Sequence, residues 1–301
     1  MTGRAMSEPD PYFLGYSQDE QVRLERQAQE FARDSQWLFD NLGIGDGSRV
    51  IEIGCGPRGC LGLLSKRVGP TGSVLGVERN AEEVERARRF VADNRLSNVE
   101  VMHGDARATG LPNAAFDAAT ARLVLVNVPS PEQIVAEMVR LVRPGGAVAL
   151  HEADCIGHQM CDPPLPAWTR LFQLLNTYAE MNGIDRFIGR KVPRMLRQAG
   201  LVDVRVNPLL HVYPPGHARR MVPLEFVENV RERLLRVGLV SDGELDELLA
   251  AFKRHMEDPQ TEVFSAILIQ AWGRTPGEQA TPNYRLHRTR LRRASPTSAG
   301  R

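Results

Sequence analysis

Apolar runs and amphipathic stretches alternate along the middle of the chain. Arg49–Ile53, Ser73–Glu78, Val99–Met102, Ala118–Ala121 and Ala147–His151 are short, mostly apolar segments bounded by turn residues, which predicts buried strands. Between them the apolar period changes to that of a helix. Leu61–Val68 is one such stretch, and a second, capped by Asn80 and Glu83, runs to Asn94. A third starts at Ser130-Pro131 and carries the stripe Ile134, Val135, Met138, Leu141 and Val142. Strands that alternate with helices at this spacing require a parallel sheet with right-handed crossovers, whose ligands sit outside the carboxyl ends of the strands.

The flanks add helices and two more strands. Ser17-Gln18-Asp19-Glu20 is a capping box that opens one long helix, with Leu24, Ala28, Phe31, Leu38 and Leu42 on its buried face. Beyond the fifth strand, helices are expected over 163–182 and 189–199, and a sixth strand over Val202–Val206. Helices over about 217–237 and 241–257 then separate it from a seventh strand, Val263–Trp272. The predicted fold is an α/β, seven-stranded, mostly parallel sheet with helices on both faces, a helical cover at 1–47 and a helical insertion at 217–257. Residues 275–301, rich in proline, serine and arginine, read as a disordered basic tail after the domain at 48–274.

Composition narrows the partners. The chain has 301 residues, 42% of them hydrophobic, and a net charge of +1. Residues 275–301 hold six arginines and one glutamate, so the rest of the chain sums to −4, a poor match to a polyanion such as nucleic acid. No apolar run is long enough to span a membrane, and the N-terminus lacks an apolar signal region. Cys55, Cys60, Cys155 and Cys161 form neither a Cys-x-x-Cys pair nor a zinc-type pattern, which suits reduced thiols in the cytoplasm and no metal site.

The chemistry centres on Val50-Ile51-Glu52-Ile53-Gly54-Cys55-Gly56-Pro57-Arg58-Gly59, a strand that enters a glycine turn just ahead of a helix N-terminus. Gly54, Gly56 and Gly59, with Glu78 about 20 residues further on, also fit a dinucleotide fingerprint. Glu52 opposes that alternative, since its carboxylate would face a pyrophosphate with like charge, whereas a ligand bearing an ammonium group would favour it. S-adenosylmethionine (SAM) is such a ligand, and the stretch resembles motif I of the class I SAM-dependent methyltransferases, with Arg58 where that motif usually has its third glycine. Glu78, at the end of the second strand, suits a pair of ribose hydroxyls.

The resemblance covers residues 48–272 and implies a Rossmann-like fold. It extends to His103-Gly104-Asp105-Ala106, where the family binds adenine, and to the Arg143-Pro144-Gly145-Gly146 turn. Its implied cofactor-binding set is Glu52, Gly54, Cys55, Gly56, Glu78, Arg79, Gly104, Asp105, Ala106 and Arg122. The carboxyl end of the fourth strand faces the methyl group in this family, which puts Arg122 and Asn127 beside the reaction centre. Tyr12-Phe13-Leu14-Gly15-Tyr16-Ser17, the Gly-Pro-Arg-Gly turn and Leu123–Pro129 are further similar to actinobacterial natural-product methyltransferases of secondary metabolism, a group that includes indole carbon methyltransferases.

The expected activity is therefore methyl transfer from SAM to carbon, oxygen or nitrogen of a small, aromatic acceptor. Asp154, Arg122 and Asn127 are the expected catalytic or orienting polar groups, with Glu152 a second carboxylate at the same strand end. Tyr12, Tyr16, Tyr178 and His211 are expected to line the acceptor pocket, and the helical insertion to act as its lid or as a homodimer surface. Two readings stay open: a NAD(P)-dependent oxidoreductase, which leaves Glu52, Asp105 and the Pro-Gly-Gly turn unexplained, and a non-catalytic SAM-binding module.

Overall fold

In the computed structural model of the chain, the described residues are 13–15, 17–155 and 161–277. Tyr12, Tyr16 and the arginines of the tail lie outside them. Strands β1 (Arg49–Ile53), β2 (Ser73–Glu78), β3 (Val99–His103), β4 (Phe116–Arg122) and β5 (Val142–Asp154) pair in parallel. β6 (Cys161–Asp162) pairs separately with β8 (Glu262–Val263), while β7 (Val202–Leu209) and β9 (Ile267–Arg274) complete the large sheet. The order of the large sheet is β3-β2-β1-β4-β5-β9-β7, and β9 runs antiparallel to both of its neighbours. Order reverses between β1 and β4, so the crevice for a ligand opens at the carboxyl ends of those strands.

Alternate side chains of each strand feed two apolar layers, as the two-residue strand period requires. Ile51, Ile53, Ala121, Val148 and Leu150 face α5 (Pro131–Leu141), α6 (Pro166–Met181), α7 (Val192–Gln198), α8 (Val222–Arg236) and α9 (Asp242–Glu257) in one layer. Val50, Ala118, Ala147, Ala149 and Trp272 face α2 (Ala32–Leu42), α3 (Leu61–Val68) and α4 (Ala81–Asp93) in the other. Helices α8 and α9 form the insertion between the last two sheet strands. Among the described residues, no helix is long and apolar enough to cross a membrane.

Three expectations change in the structure. The long helix from Ser17 breaks at Phe31 into α1 (Gln18–Glu30) and α2, because its halves pack on different partners. α1 lies on α8, with Arg26 paired to Glu225 at 2.7 Å and Glu20 accepting from Asn229 at 2.9 Å. α2 lies on the sheet, where Asp34 and Leu42 offer carbonyls to Gln270 and Arg274. The seventh strand is also interrupted: Val263 pairs with Cys161, and only Ile267–Arg274 joins the large sheet. The helix expected over 189–199 opens as a 3-10 turn, Ile188–Lys191.

Phe31 is the joint of α1 and α2. Its ring, 2% exposed, carries the Arg219 guanidinium at 4.0 Å and meets His151 at 5.5 Å. Phe31→Ala should lower the free energy of unfolding in urea by about 3 kcal/mol, the low end for a lost core aromatic because the site borders a cavity.

Candidate functional site

The glycine turn after β1 is built by its own carboxylate. Gly54, Gly56 and Gly59 have φ of +64°, +55° and +47°, a region that side chains adopt only under strain. At Gly59 a Cβ would fall 2.7 and 2.8 Å from the two Glu52 carboxylate oxygens, so a glycine is demanded there. Arg58, at the position where the family motif usually has its third glycine, instead turns away and lays its guanidinium over Phe90 of α4 at 4.8 Å. Both oxygens of Glu52 take the Cys60 amide, at 2.8 and 2.9 Å, just ahead of α3. Burial pushes the Glu52 carboxyl up to about 7, against the pull of the Arg122 charge and the Cys60 amide.

Glu78 ties the turn to β2. It accepts from the Gly56 amide at 3.0 Å and from the Arg79 and Asn80 amides at 2.8 and 2.9 Å. Asp105 grips the Arg107 guanidinium at 2.6 Å, and that hydrogen-bonded pairing draws its carboxyl down to about 2. Arg122 bridges α2 and the turn, donating to Ser35 Oγ at 2.9 Å and to the Gly59 carbonyl at 3.3 Å. The Asn127 side chain donates to the Leu123 carbonyl at 2.9 Å.

The two carboxylates at the end of β5 are engaged by the protein. Glu152 accepts from the amides of Val124, Leu125 and Val126 at 3.0, 2.9 and 3.2 Å, which holds the loop after β4 in place. Burial raises its carboxyl to about 7 even so. Asp154 takes the guanidinium of Arg190, with Nη2 at 2.7 Å, and the Arg190 amide at 3.2 Å.

One cavity of about 250 Å³ runs across these elements. Glu52, Gly54, Cys55, Gly56, Glu78, Arg79, Gly104, Asp105, Ala106, Arg122 and Asn127 all line it. Its far end is walled by Phe13, Phe31, Trp168, Tyr213, Phe226 and Phe264, together with Arg186, Arg219 and Arg220. Asp154, Tyr178 and His211 are not in the wall. Tyr178 packs its ring at a tilt against Phe13, centroids 5.6 Å apart, and His211 Nε2 sits 3.0 Å from Asp34 Oδ2, beside Phe31. The buried arginines of the far end left no local trace in the sequence. Arg186 is a single cation beside a turn and Arg219-Arg220 an adjacent pair, and only the fold shows that they face inward.

Two outcomes follow from the buried carboxylates. Glu52 has a folded-state pKa above the ordinary carboxylate value, so its stabilisation is complete below about 4.5 and is lost as pH rises through about 7. Stability in urea should therefore fall between pH 5 and 8, and fall less steeply in Glu52→Gln, which cannot ionise. Glu152→Leu should strand the three loop amides and cost at least about 2 kcal/mol, measured in the same titration.

Residues 51–150 match the family model described as a methyltransferase domain. The chain is 33% identical over 217 residues to an uncharacterized 37.1 kDa protein in a transposon of Streptomyces fradiae, covering 71% of this chain and 61% of that one. Thus it spans under two thirds of that relative's length. It is 28% identical over 199 residues to a demethylmenaquinone methyltransferase of Halalkalibacterium halodurans, covering 59% and 78%. A solved geranyl diphosphate methyltransferase in complex with SAM shares the fold, with a TM-score of 0.52 at 16% identity over 87% of this chain and 93% of that one. Residues 51–150 thus form a methyltransferase domain on the fold of the SAM-dependent methyltransferases, with S-adenosylmethionine as its cofactor.

Proposed function

We propose that the chain methylates a small, largely apolar, aromatic or quinone-like acceptor, held in the far end of the cavity beside the SAM cradle. The observation that carries this reading is the continuity of one cavity from the glycine turn to a chamber walled by aromatic rings. The cradle suits SAM on its own geometry. Gly56 lines the cavity, and a Cβ there would meet no protein atom within 4 Å, which leaves bare backbone for a ligand to approach. Glu52 and Glu78 put negative charge at the same end, where an ammonium and ribose hydroxyls are the natural complements. A quinone-like acceptor draws support from the demethylmenaquinone methyltransferase relative.

When bound, SAM supplies an already activated methyl group. What remains for the chain is positioning, which can contribute roughly 7–11 kcal/mol when reacting atoms are held in line. Glu152 fixes the loop of Val124, Val126 and Asn127 against the cavity, and Arg122 locks that wall to the glycine turn. The aromatic chamber excludes water from the reacting atoms. The chain outside the tail sums to −4, which argues for a small molecule over nucleic acid as partner.

Glu78→Ala should weaken SAM binding roughly ten- to hundredfold by calorimetry, the range for a lost charged acceptor, with some loss from a loosened Gly56 turn. Labelled SAM should transfer its methyl to members of a panel of naphthoquinols, indoles and phenols. Salt-sensitive binding and methylation of RNA in place of that panel would overturn the reading.

A further inference from the structure

We infer that the acceptor is an acid, whose carboxylate or phosphate oxygens are held by Arg186 and Arg220 inside the cavity. The inference rests on the reading that this chamber takes the methyl acceptor, and it adds the chemical class of that acceptor.

Arg186 precedes the 3-10 turn Ile188–Lys191, and Arg220 lies in the turn Ala218–Met221 that leads into α8. Both line the cavity, at 5% and 1% exposure. The Arg186 guanidinium lies over the rings of Phe172 and Phe13, at 5.3 and 5.9 Å, and its Nη2 is 3.8 Å from Cys155 Sγ. Its Nη1 has no hydrogen-bond partner among the described residues. Arg220 Nη2 donates to the carbonyls of Thr261 and Asp258, at 2.8 and 3.3 Å, while its Nε and Nη1 have no partner there. Among the described residues, neither guanidinium has a carboxylate within ion-pair distance. Trp168 Nε1, in the same wall, is a third buried donor without a partner.

The unpartnered nitrogens of Arg186, Arg220 and Trp168 are all donors. Other arginines of this cavity are answered by the protein: Arg23 by Glu20 and Gln27, Arg219 by Glu30 and the Tyr213 hydroxyl. Of the three arginines buried in this wall, Arg23, Arg186 and Arg220, only Arg23 has a carboxylate partner among the described residues. A buried carboxyl or imidazole can relieve its burial by becoming neutral, as His151 does with a pKa pushed down to about 3. A guanidinium cannot shed its proton, so its complement must arrive as an anion. Carboxylate and phosphate oxygens match the arginine fork, and the rings of Phe31, Phe226 and Phe264 match an aromatic body. An aromatic acid satisfies both.

The test compares 1-naphthoate, 1-naphthyl phosphate, benzoate and neutral 1-naphthamide on the full chain, by calorimetry and thermal shift, with and without S-adenosylhomocysteine. At least one acid should bind about tenfold or more tightly than the amide, because the buried charges are then paired. Arg186→Met and Arg220→Met should each remove that preference. Arg186→Met should also keep or raise the melting temperature of the free protein, since an uncompensated buried cation is lost. An arginine with a purely structural role would instead lower the melting temperature and leave the preference intact. Arg186→Lys, which keeps the charge and loses the fork, should retain part of the preference. Absence of anion-selective binding across the panel, or a preference that survives both substitutions, overturns the inference. The ratio of naphthoate to naphthyl phosphate sorts carboxylate from phosphate. Failure of S-adenosylhomocysteine to bind would count against methyl transfer alone, because the anion comparison is also read without it.

Discussion

The site depends on one close approach, the buried carboxylate of Glu52 against the bare backbone of Gly59. The carboxylate occupies the volume that a Cβ at Gly59 would fill and takes the amide of Cys60 at the entrance to α3. A helix N-terminus is a ready anion site, and dinucleotide folds use it for a pyrophosphate. Here the protein's own anion already holds that amide. A phosphate would meet both an occupied donor and a like charge, whereas a ligand with an ammonium group gains from the same arrangement. The glycine spacing is shared between the two classes of fold. The carboxylate two residues ahead of it separates them.

The rest of the cradle is strung from this point. Glu78 draws the Gly56 amide towards β2, and Arg122 ties the Gly59 carbonyl to Ser35 on α2. Glu152 gathers three successive amides of the loop that follows β4. Glu52, Glu78 and Glu152, at or near the ends of β1, β2 and β5, thus each take backbone amides of a neighbouring loop. Such bonds fix the loops without using the sheet's apolar faces, which stay free to pack helices. The cavity wall holds the carboxylates of Glu52, Glu78 and Asp105 beside the glycine turn, and the buried guanidiniums of Arg186 and Arg220.

The sheet, its parallel run and the crevice at the strand ends were legible in the sequence because each depends on short-range pattern. Apolar runs, glycine punctuation and helical stripes are local properties, and the right-handed crossover leaves few ways to connect them. That the residues from Glu52 to Asn127 come together in one cavity wall follows from the same pattern, since they lie at or shortly beyond strand ends that converge. Boundaries that depend on partners were not. Ser17–Leu42 carries one continuous helical stripe, yet its halves meet different surfaces, the insertion and the sheet, and the chain turns at Phe31 to satisfy both.

Asp154 and Arg186 mark where the sequence stops. A carboxylate at a strand end reads as available, and its pairing with Arg190, 36 residues away, appears only when the turn at Ile188–Lys191 folds back on β5. An arginine beside a turn, such as Arg186, reads as solvated. That Arg186 and Arg220 are buried without a carboxylate follows from the packing of α6, α8 and β9 around them, distant segments brought together by the long insertion. The sequence alone determined the sheet, the glycine turn and the methyltransferase domain, because local period and spacing encode them. Which charges are answered within the chain and which are buried without a partner among the described residues was decided by tertiary structure, because burial and pairing are properties of distant residues in contact.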